Sequence, residues 1–247
     1  MAGDGFFGAE VAATYDRDHG GTDPAILQQT VEVLHNLADG GASLEFAIGT
    51  GRIALPLAAR GTPVKGIELS AAMVDQMRRK PGGDDIYVCI GDMTQAQVAG
   101  DFALVFLVFN TIDNLTTQDS QVACFQNAAA HLPTGGRFVI ETLVPPIQHI
   151  PYGETQRAFA CSPAHWGIDT FDVTTQNYHS NHVWFEDGKD SAPNRISIPF
   201  RYTWPSELDL MARLAGLRFE SRWADWQQAP FTRFSKSHIS VWRKDPP

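Results

Sequence analysis

The residues of this sequence best suited to bind a charged small ligand lie in the stretch LEFAIGTGRIALPLAARGTPVKGIELS at 44–70. Gly49, Gly51 and Ala54 follow an apolar run in the pattern G-x-G-x-x-A, and Glu68 ends the next apolar run. Glycines after a strand allow a tight turn and a close approach to a ligand at a helix N-terminus. An acid at the end of the second strand can accept hydrogen bonds from a ribose hydroxyl pair. The pattern therefore predicts a site for an adenosine cofactor, either a dinucleotide or S-adenosylmethionine.

Two neighbouring features and one later segment separate these alternatives. Glu45 lies four residues before Gly49, where a carboxylate would repel a pyrophosphate but could hold the ammonium group of a methionine moiety. Asp92 and Met93 follow the third apolar run, where a short side chain can accept a hydrogen bond from an adenine amino group while a thioether packs on the ring. Residues 132–143 then supply a helix stop, a glycine turn and a strand. These features favour S-adenosylmethionine.

Short apolar runs alternate with helix-like segments from residue 23 to about residue 145. The predicted strands are SLEFAI, PVKGIEL, IYVCIGD, DFALVFLVF and RFVIETL, which are apolar throughout, as in strands covered on both faces. Helices are predicted after Thr22 as the N-cap and over 51–60, 70–80 and 117–132. This alternation predicts an α/β fold with a Rossmann-like, mostly parallel seven-stranded sheet and helices on both faces.

The pattern changes at VPPIQHIPYGE, where three prolines stop any regular element. Alternating polar and β-branched or aromatic residues over 146–203 predict an inserted antiparallel β layer, which would form an acceptor pocket or a dimer face. Residues 204–247 contain a final helix and a strand pair that complete the core. Residues 1–22 are interpreted as an N-terminal lid segment and residues 23–145 as the cofactor-binding core.

The motifs EFAIGTG, VKGIELS and GDM and the strand after LPTGG together resemble the class I S-adenosylmethionine-dependent methyltransferases over nearly the whole chain. The early YDRD is similar to the small-molecule branch, including sugar N-methyltransferases of macrolide pathways, in which a Tyr-Asp pair closes over the cofactor. The resemblance implies methyl transfer to oxygen, nitrogen or carbon of a small metabolite. It implies cofactor contacts from Tyr15, Glu45, Ala47, Gly49, Thr50, Gly51, Glu68, Leu69, Met73, Gly91, Asp92, Met93, Phe109 and Asn110.

The predicted catalytic residues are His182, His179 and Tyr15. A hydroxyl or amine acceptor benefits from a general base, for which histidine is the commonest candidate. His179 and His182 should lie on opposite faces of a regular strand, which argues against a shared metal, and no metal site is predicted.

Three side chains have two interpretations each. Tyr15 is either part of the lid or a hydrophobic anchor of the N-terminus. Phe109 either contacts the cofactor and acceptor or packs in the core. Arg52 either faces solvent or reaches the substrate pocket.

The formal net charge of −9, without a Lys/Arg cluster, argues against nucleic acid as a partner. The longest apolar run is too short to span a membrane and no secretory signal is recognised, so a cytoplasmic protein with a small-molecule acceptor is expected. A homodimer is a further expectation. The alternatives are an NAD(P)-dependent oxidoreductase, disfavoured by Glu45, by GDM and by the lack of a Tyr-x-x-x-Lys pair, and a non-catalytic S-adenosylmethionine-binding protein.

Overall fold

The computed structural model describes residues 6–19, 23–185 and 192–246. Within them the chain forms eleven strands in two sheets. The strands are β1 (Ala42–Phe46), β2 (Val64–Glu68), β3 (Tyr87–Ile90), β4 (Phe102–Leu107), β5 (Arg137–Leu143), β6 (Gln156–Cys161), β7 (His165–Asp172), β8 (Asn177–Trp184), β9 (Asn194–Arg201), β10 (Leu217–Trp223) and β11 (Ser237–Lys244).

The larger sheet has seven strands in the order β10-β11-β5-β4-β1-β2-β3. Strands β1 to β5 pair in parallel, whereas β11 runs antiparallel to both β5 and β10. The central strands are buried on both faces, so their sequences are continuously apolar rather than alternating. The predicted Rossmann-like, mostly parallel seven-stranded sheet is confirmed.

The described residues also form six α-helices: α1 (Ala9–His19), α2 (Pro24–Ala38), α3 (Ala54–Ala59), α4 (Ala71–Arg78), α5 (Gln118–His131) and α6 (Pro205–Leu214). The cap of α2 is Asp23, whose side chain accepts a hydrogen bond from the N–H of Ala25, so the prediction of Thr22 as the cap is wrong. The predicted helix over 51–60 is shorter than expected because residue 51 is a glycine with φ of +77° in the preceding turn. None of the described helices is long and apolar enough to cross a membrane.

The second sheet is antiparallel and has the order β6-β7-β8-β9. Its strands fall within the predicted inserted layer over 146–203, between the end of β5 and the start of α6. The alternating pattern arises because each strand has one face toward the rest of the molecule and one face toward solvent. A short 3-10 turn, Pro146–His149, joins β5 to this layer.

Candidate functional site

The carboxyl ends of β1 and β2 are joined by the side chain of Glu68. Its Oε2 accepts a hydrogen bond of 2.8 Å from the backbone N–H of Gly49, and its Oε1 accepts one of 2.9 Å from that of Ser70. Burial raises the pKa of this carboxyl, while the bonds from Ser70 and Gly49 oppose the rise. The predicted ribose acid therefore also holds the glycine turn in place.

The glycine turn after β1 depends on backbone conformations that disfavour larger residues. Gly49 has a φ of +58° and Gly51 a φ of +77°. A Cβ at Gly51 would lie 2.6 Å from Cγ of Met77, so α4 leaves no room for a side chain there. Ala47 has a φ of +53° although it is not a glycine. Strain of this kind is concentrated at ligand-binding sites.

Glu45 is buried in β1 with 3% of its surface exposed. Among the described residues, its Oε2 has no hydrogen-bond partner. Burial raises the pKa of this carboxyl well above its usual range, and nearby Arg52 opposes the rise. A buried carboxylate oxygen without a partner is costly unless a ligand supplies a donor. The chemistry of Glu45 therefore fits a cation or an N–H donor in the cleft.

Arg52 and Phe109 lie together across the cleft. The Arg52 guanidinium carbon is 4.6 Å from the centroid of the Phe109 ring, a distance at which a cation is attracted to an aromatic face. Phe109 is 41% exposed, so it is not packed in the core. Arg52 is half-buried, and its charge is close enough to Glu45 to oppose the rise in the pKa of that carboxyl.

The turn after β4 is held by Glu141, a residue that the sequence analysis missed. Phe109 and Asn110 have φ values of +60° and +59°. Glu141 Oε2 accepts a hydrogen bond of 2.9 Å from the N–H of Phe109, and its Oε1 accepts one of 2.8 Å from the indole N–H of Trp226. The only signal in the sequence was an acid within the otherwise apolar strand RFVIETL.

The N-terminal segment lies across the glycine turn. Asp16 accepts a hydrogen bond of 2.6 Å from the hydroxyl of Thr50 and pairs with Lys80 at 2.6 Å. Ser70 Oγ donates to the carbonyl of Phe7, and the Phe7 ring meets the edge of Tyr15 with centroids 6.0 Å apart. Burial raises the pKa of Tyr15. The charge of Arg52 opposes this rise, and the charge of Glu68 adds to it.

The predicted adenine-binding residues lie at the carboxyl ends of β2 and β3. The N–H of Gly91 donates a hydrogen bond of 2.8 Å to the carbonyl of Glu68, and half-buried Leu69 follows that carbonyl. Half-buried Asp92 accepts a bond of 2.8 Å from the N–H of Thr94, which leaves its other oxygen for a ligand. Met93 is mostly buried in the core.

Met73 packs against the glycine turn from α4. A Cβ at Gly49 would lie 3.5 Å from its methyl carbon. The structure thus brings the predicted cofactor residues of the glycine turn, the β2 and β3 ends and the β4 turn to one edge of the sheet, as expected for parallel strands.

A cavity of about 740 Å³ lies between the second sheet and the loops that follow β5 and precede β11. Its lining comprises Leu143, Val144, Pro146, Gln148, His149, Arg157, Phe159, Asp169, Tyr178, Ser180, His182, Arg233, Phe234, Ser235 and Lys236. His182 lines this cavity, whereas exposed His179 lies on the opposite face of β8. The structure therefore brings only one of the two predicted histidines to the cavity.

The cavity adjoins the turn after β4 through Tyr178. Its hydroxyl lies 3.5 Å from Oδ2 of Asp113, which is three residues beyond Asn110. Asp113 is buried, and burial raises its pKa to about 8. Leu143, which ends β5, and Val144, which follows it, also line the cavity. In the part of the chain that the structure describes, no group of three His, Cys, Asp or Glu side chains could hold a metal ion.

Residues 44–136 match the family described as a methyltransferase domain. This range contains the glycine turn, Glu68, Asp92 and the turn after β4. The core of this chain is therefore a methyltransferase domain, as in S-adenosylmethionine-dependent methyltransferases. S-Adenosylmethionine is the cofactor of this family, and the carboxylates of Glu45, Glu68 and Asp92 fit its ammonium, ribose and adenine groups.

Several methyltransferases of known function or structure are similar to this chain. A dTDP-3-amino-3,6-dideoxy-α-D-glucopyranose N,N-dimethyltransferase of Streptomyces fradiae is 29% identical over 139 residues. The match covers 55% of this chain and 54% of the relative, so it spans about half of the length of that curated protein.

Similarity to solved structures extends over nearly the whole chain. The structure of the CcbJ methyltransferase from Streptomyces caelestis has a TM-score of 0.86 and 29% identity, and the match covers 98% of this chain and 99% of that one. CalS10, an amino pentose methyltransferase from Micromonospora echinaspora with bound S-adenosylmethionine, has a TM-score of 0.69 and 18% identity over 95% and 97% of the two chains. The second likeness bears on the fold alone.

Proposed function

We propose that this protein transfers a methyl group from S-adenosylmethionine to an amino nitrogen of a small, sugar-like molecule. The observation that carries the proposal is the buried Glu45 oxygen without a partner, beside a glycine turn held by Glu68. The methyltransferase-domain match over 44–136 supports the reaction class. The N,N-dimethyltransferase similarity supports an amine as the acceptor among oxygen, nitrogen and carbon.

Each part of the cofactor has residues suited to hold it. Glu45 would accept hydrogen bonds from the ammonium group, Glu68 from the ribose hydroxyls and Asp92 from the adenine amino group. Met93 and Leu69 would pack on the adenine, and the backbone of Gly49 and the other residues of the turn would contact the ribose and the methionine moiety. When bound, S-adenosylmethionine supplies an electrophilic methyl group on a sulfonium.

The chain's aromatic residues suit a cationic cofactor. Phe109, half exposed on its strained turn, and Tyr15, on α1, lie near the cleft, and their ring faces favour positive charge. The position of Arg52 over Phe109 and near Glu45 fits an interaction with the carboxylate of the methionine moiety. Closure of α1 over the glycine turn would exclude water from the transfer.

Each of four segments of the chain is assigned one role in the proposed reaction. We infer that residues 1–22 form a lid, 23–145 the cofactor core, 146–203 the acceptor layer and 204–247 the part that completes the core. Of the two predicted base candidates, it is His182 that lines the acceptor cavity, where its ring nitrogens are hydrogen-bonded to Ser180 and His165. His179 faces outward from the same strand.

We infer a cytoplasmic enzyme without nucleic-acid or membrane partners. The net charge of −9 opposes binding to a phosphate backbone. The outer face of the second sheet exposes Trp166 and Ile168, which supports a homodimer formed through this face.

The proposed function is tested by incubating the protein with S-adenosylmethionine and amine acceptors and measuring S-adenosylhomocysteine by mass spectrometry. The expected result is acceptor-dependent S-adenosylhomocysteine with an acceptor mass increased by one or two methyl groups. Binding of S-adenosylhomocysteine without turnover of any amine, alcohol or carbon acceptor would instead indicate a non-catalytic binding protein.

A further inference from the structure

A continuous line of polar side chains crosses the inner face of the second sheet. Asp169 is hydrogen-bonded to the hydroxyl of Ser180. Ser180 Oγ is 3.2 Å from Nε2 of His182, and Nδ1 of His182 is 3.0 Å from Nε2 of His165. Asp169, Ser180 and His182 also line the cavity beside the turn after β4.

The strand register explains why these groups meet. Asp169 of β7 lies opposite Ser180 of β8, and Gly167 lies opposite His182. A Cβ at Gly167 would lie 2.3 Å from Cε2 of Phe159, so this position admits the Phe159 ring only because it is glycine. The Phe159 ring contacts the His182 ring, with centroids 5.2 Å apart, and covers one side of this line of polar side chains.

The two imidazoles are further fixed by Trp184. Its ring is stacked on His165 and on His182 with centroid distances of 4.7 and 4.8 Å. Both ring nitrogens of His182 already have hydrogen-bond partners within the sheet. His182 therefore orients its neighbours, and the carboxylate at the end of the line is the group available to a molecule in the cavity.

The hydrogen bonds have one consistent direction when Asp169 is ionised. Ser180 donates its hydroxyl proton to Asp169 and accepts from Nε2–H of His182, and Nδ1 of His182 accepts from Nε2–H of His165. A carboxylate with a donor fixed in this way has a defined orientation. Among the described residues, Asp169 is the one carboxylate that lines the cavity.

We propose that Asp169 binds the amino group of the methyl acceptor and that Ser180, His182 and His165 position its carboxylate. The proposal rests on the proposed methyltransferase function. Methyl transfer forms a nitrogen–carbon bond and breaks the carbon–sulfur bond, whose electron pair stays on sulfur. Positive charge thus moves to the nitrogen, where Asp169 stabilises it, and one proton leaves the product for water.

Cations around Asp169 limit how far its carboxylate stabilises a protonated amine before transfer. Arg157 lies beside it on β6, and Arg233 and Lys236 line the same cavity. The carboxylate raises the pKa of an amine bound to it, and the cations nearby oppose that rise and so favour the free lone pair that attacks the methyl group. Burial raises the pKa of Asp169, while Ser180 and Arg157 oppose the rise. The other titratable groups that face this region are His149, Tyr178, His182 and, behind them, His165 and Asp113.

The first test compares Asp169→Asn with Asp172→Asn, a matched control. Asp172 is on the same strand, but it is exposed and bonds only to Thr174 and Thr175 of the adjoining turn. The amine probes are dTDP-3-amino-3,6-dideoxy-α-D-glucose, D-glucosamine and butylamine. The expected result is at least a 30-fold loss of kcat/KM for Asp169→Asn, unchanged activity of Asp172→Asn and unchanged affinity of both for S-adenosylhomocysteine.

The second test addresses the positioning residues through the pH profile of kcat/KM. Because the Ser180 bond stabilises the ionised form of Asp169, Ser180→Ala should move the acidic limb to higher pH, and Ser180→Thr should restore it. If the acidic limb of the kcat/KM profile of Ser180→Ala lies at the same pH as in wild type, the positioning role of Ser180 is overturned.

The outcomes separate this inference from the function on which it rests. Wild-type protein that fails to bind S-adenosylhomocysteine would overturn the proposed methyltransferase function. Wild-type protein that binds it but methylates none of the three amines would overturn an amine site at Asp169. A kcat/KM of Asp169→Asn within threefold of the wild-type value would also overturn an amine site at Asp169.

Discussion

Glu141 and Phe109 are linked by a hydrogen bond of 2.9 Å from the backbone N–H of Phe109 to Oε2 of Glu141. The carbonyl of Glu141 also accepts a bond of 3.1 Å from the N–H of Asn110. Two successive non-glycine residues with positive φ are thereby held at the edge of the cofactor cleft. The position of an exposed aromatic ring in the cleft thus depends on an acid from the neighbouring strand.

Replacement of Glu141 by Gln should weaken binding of S-adenosylhomocysteine. A glutamine offers one oxygen, so it must give up its bond to either Phe109 or Trp226, and the loss should cost about 1 to 2 kcal/mol. Isothermal titration calorimetry measures the affinity. Glu220→Gln is the control, because Glu220, on β10, pairs with Arg137 at the start of β5, outside the cleft. Equal affinities of the two variants would contradict the role given to Glu141.

Glu68→Ala should weaken binding of the cofactor by about 2 kcal/mol or more, because a charged acceptor is lost. The structure adds a second effect, since the N–H groups of Gly49 and Ser70 lose their partner. The midpoint of thermal unfolding without ligand should therefore also fall. Unchanged affinity for S-adenosylhomocysteine would remove Glu68 from the site.

Asp92→Ala should reduce discrimination between S-adenosylhomocysteine and its inosine analogue. The carboxylate accepts from the amino group of adenine, a donor that hypoxanthine lacks. Asp75→Ala, an exposed position on α4, is a suitable control. The ratio of the two dissociation constants is the quantity to compare, and the same ratio in wild type and Asp92→Ala would exclude contact with the amino group.

Asp113 should make the stability of the protein depend on pH. Its pKa of about 8 in the folded state lies above the value of an unfolded aspartate. The folded state therefore binds more protons between these two values, and the free energy of unfolding should fall as pH rises through this window. Asp113→Asn should flatten that fall.

Urea denaturation at pH 5.5 and at pH 8 provides the measurement for Asp113. Asp119→Asn, on the first turn of α5, is the control with the wild-type pH dependence. A fall of equal size in wild type and Asp113→Asn would show that other groups cause it.

Much of the fold was predictable because parallel strands buried on both faces leave continuous apolar runs. The glycine turn was also predictable from the sequence, since Gly49 and Gly51 adopt backbone conformations that other residues avoid. The opposite orientation of His179 and His182 followed from the twofold period of a strand. Each of these features is local in the sequence.

The features that escaped the sequence analysis depend on contacts between distant segments. Glu141 meets Phe109 across 32 positions, and Asp16 meets Thr50 across 34. The line from Asp169 to His165 depends on the register of two strands and on the absence of a side chain at Gly167. A single sequence specifies neither the register nor which polar groups become neighbours.

The most direct test of the cofactor site is calorimetric titration of the purified protein with S-adenosylhomocysteine and, separately, with NADH. The buried oxygen of Glu45 and the carboxylate of Glu68 predict micromolar binding of S-adenosylhomocysteine and no binding of NADH, whose pyrophosphate Glu45 would repel. Binding of NADH alone would contradict the account and would assign the glycine turn to a dinucleotide.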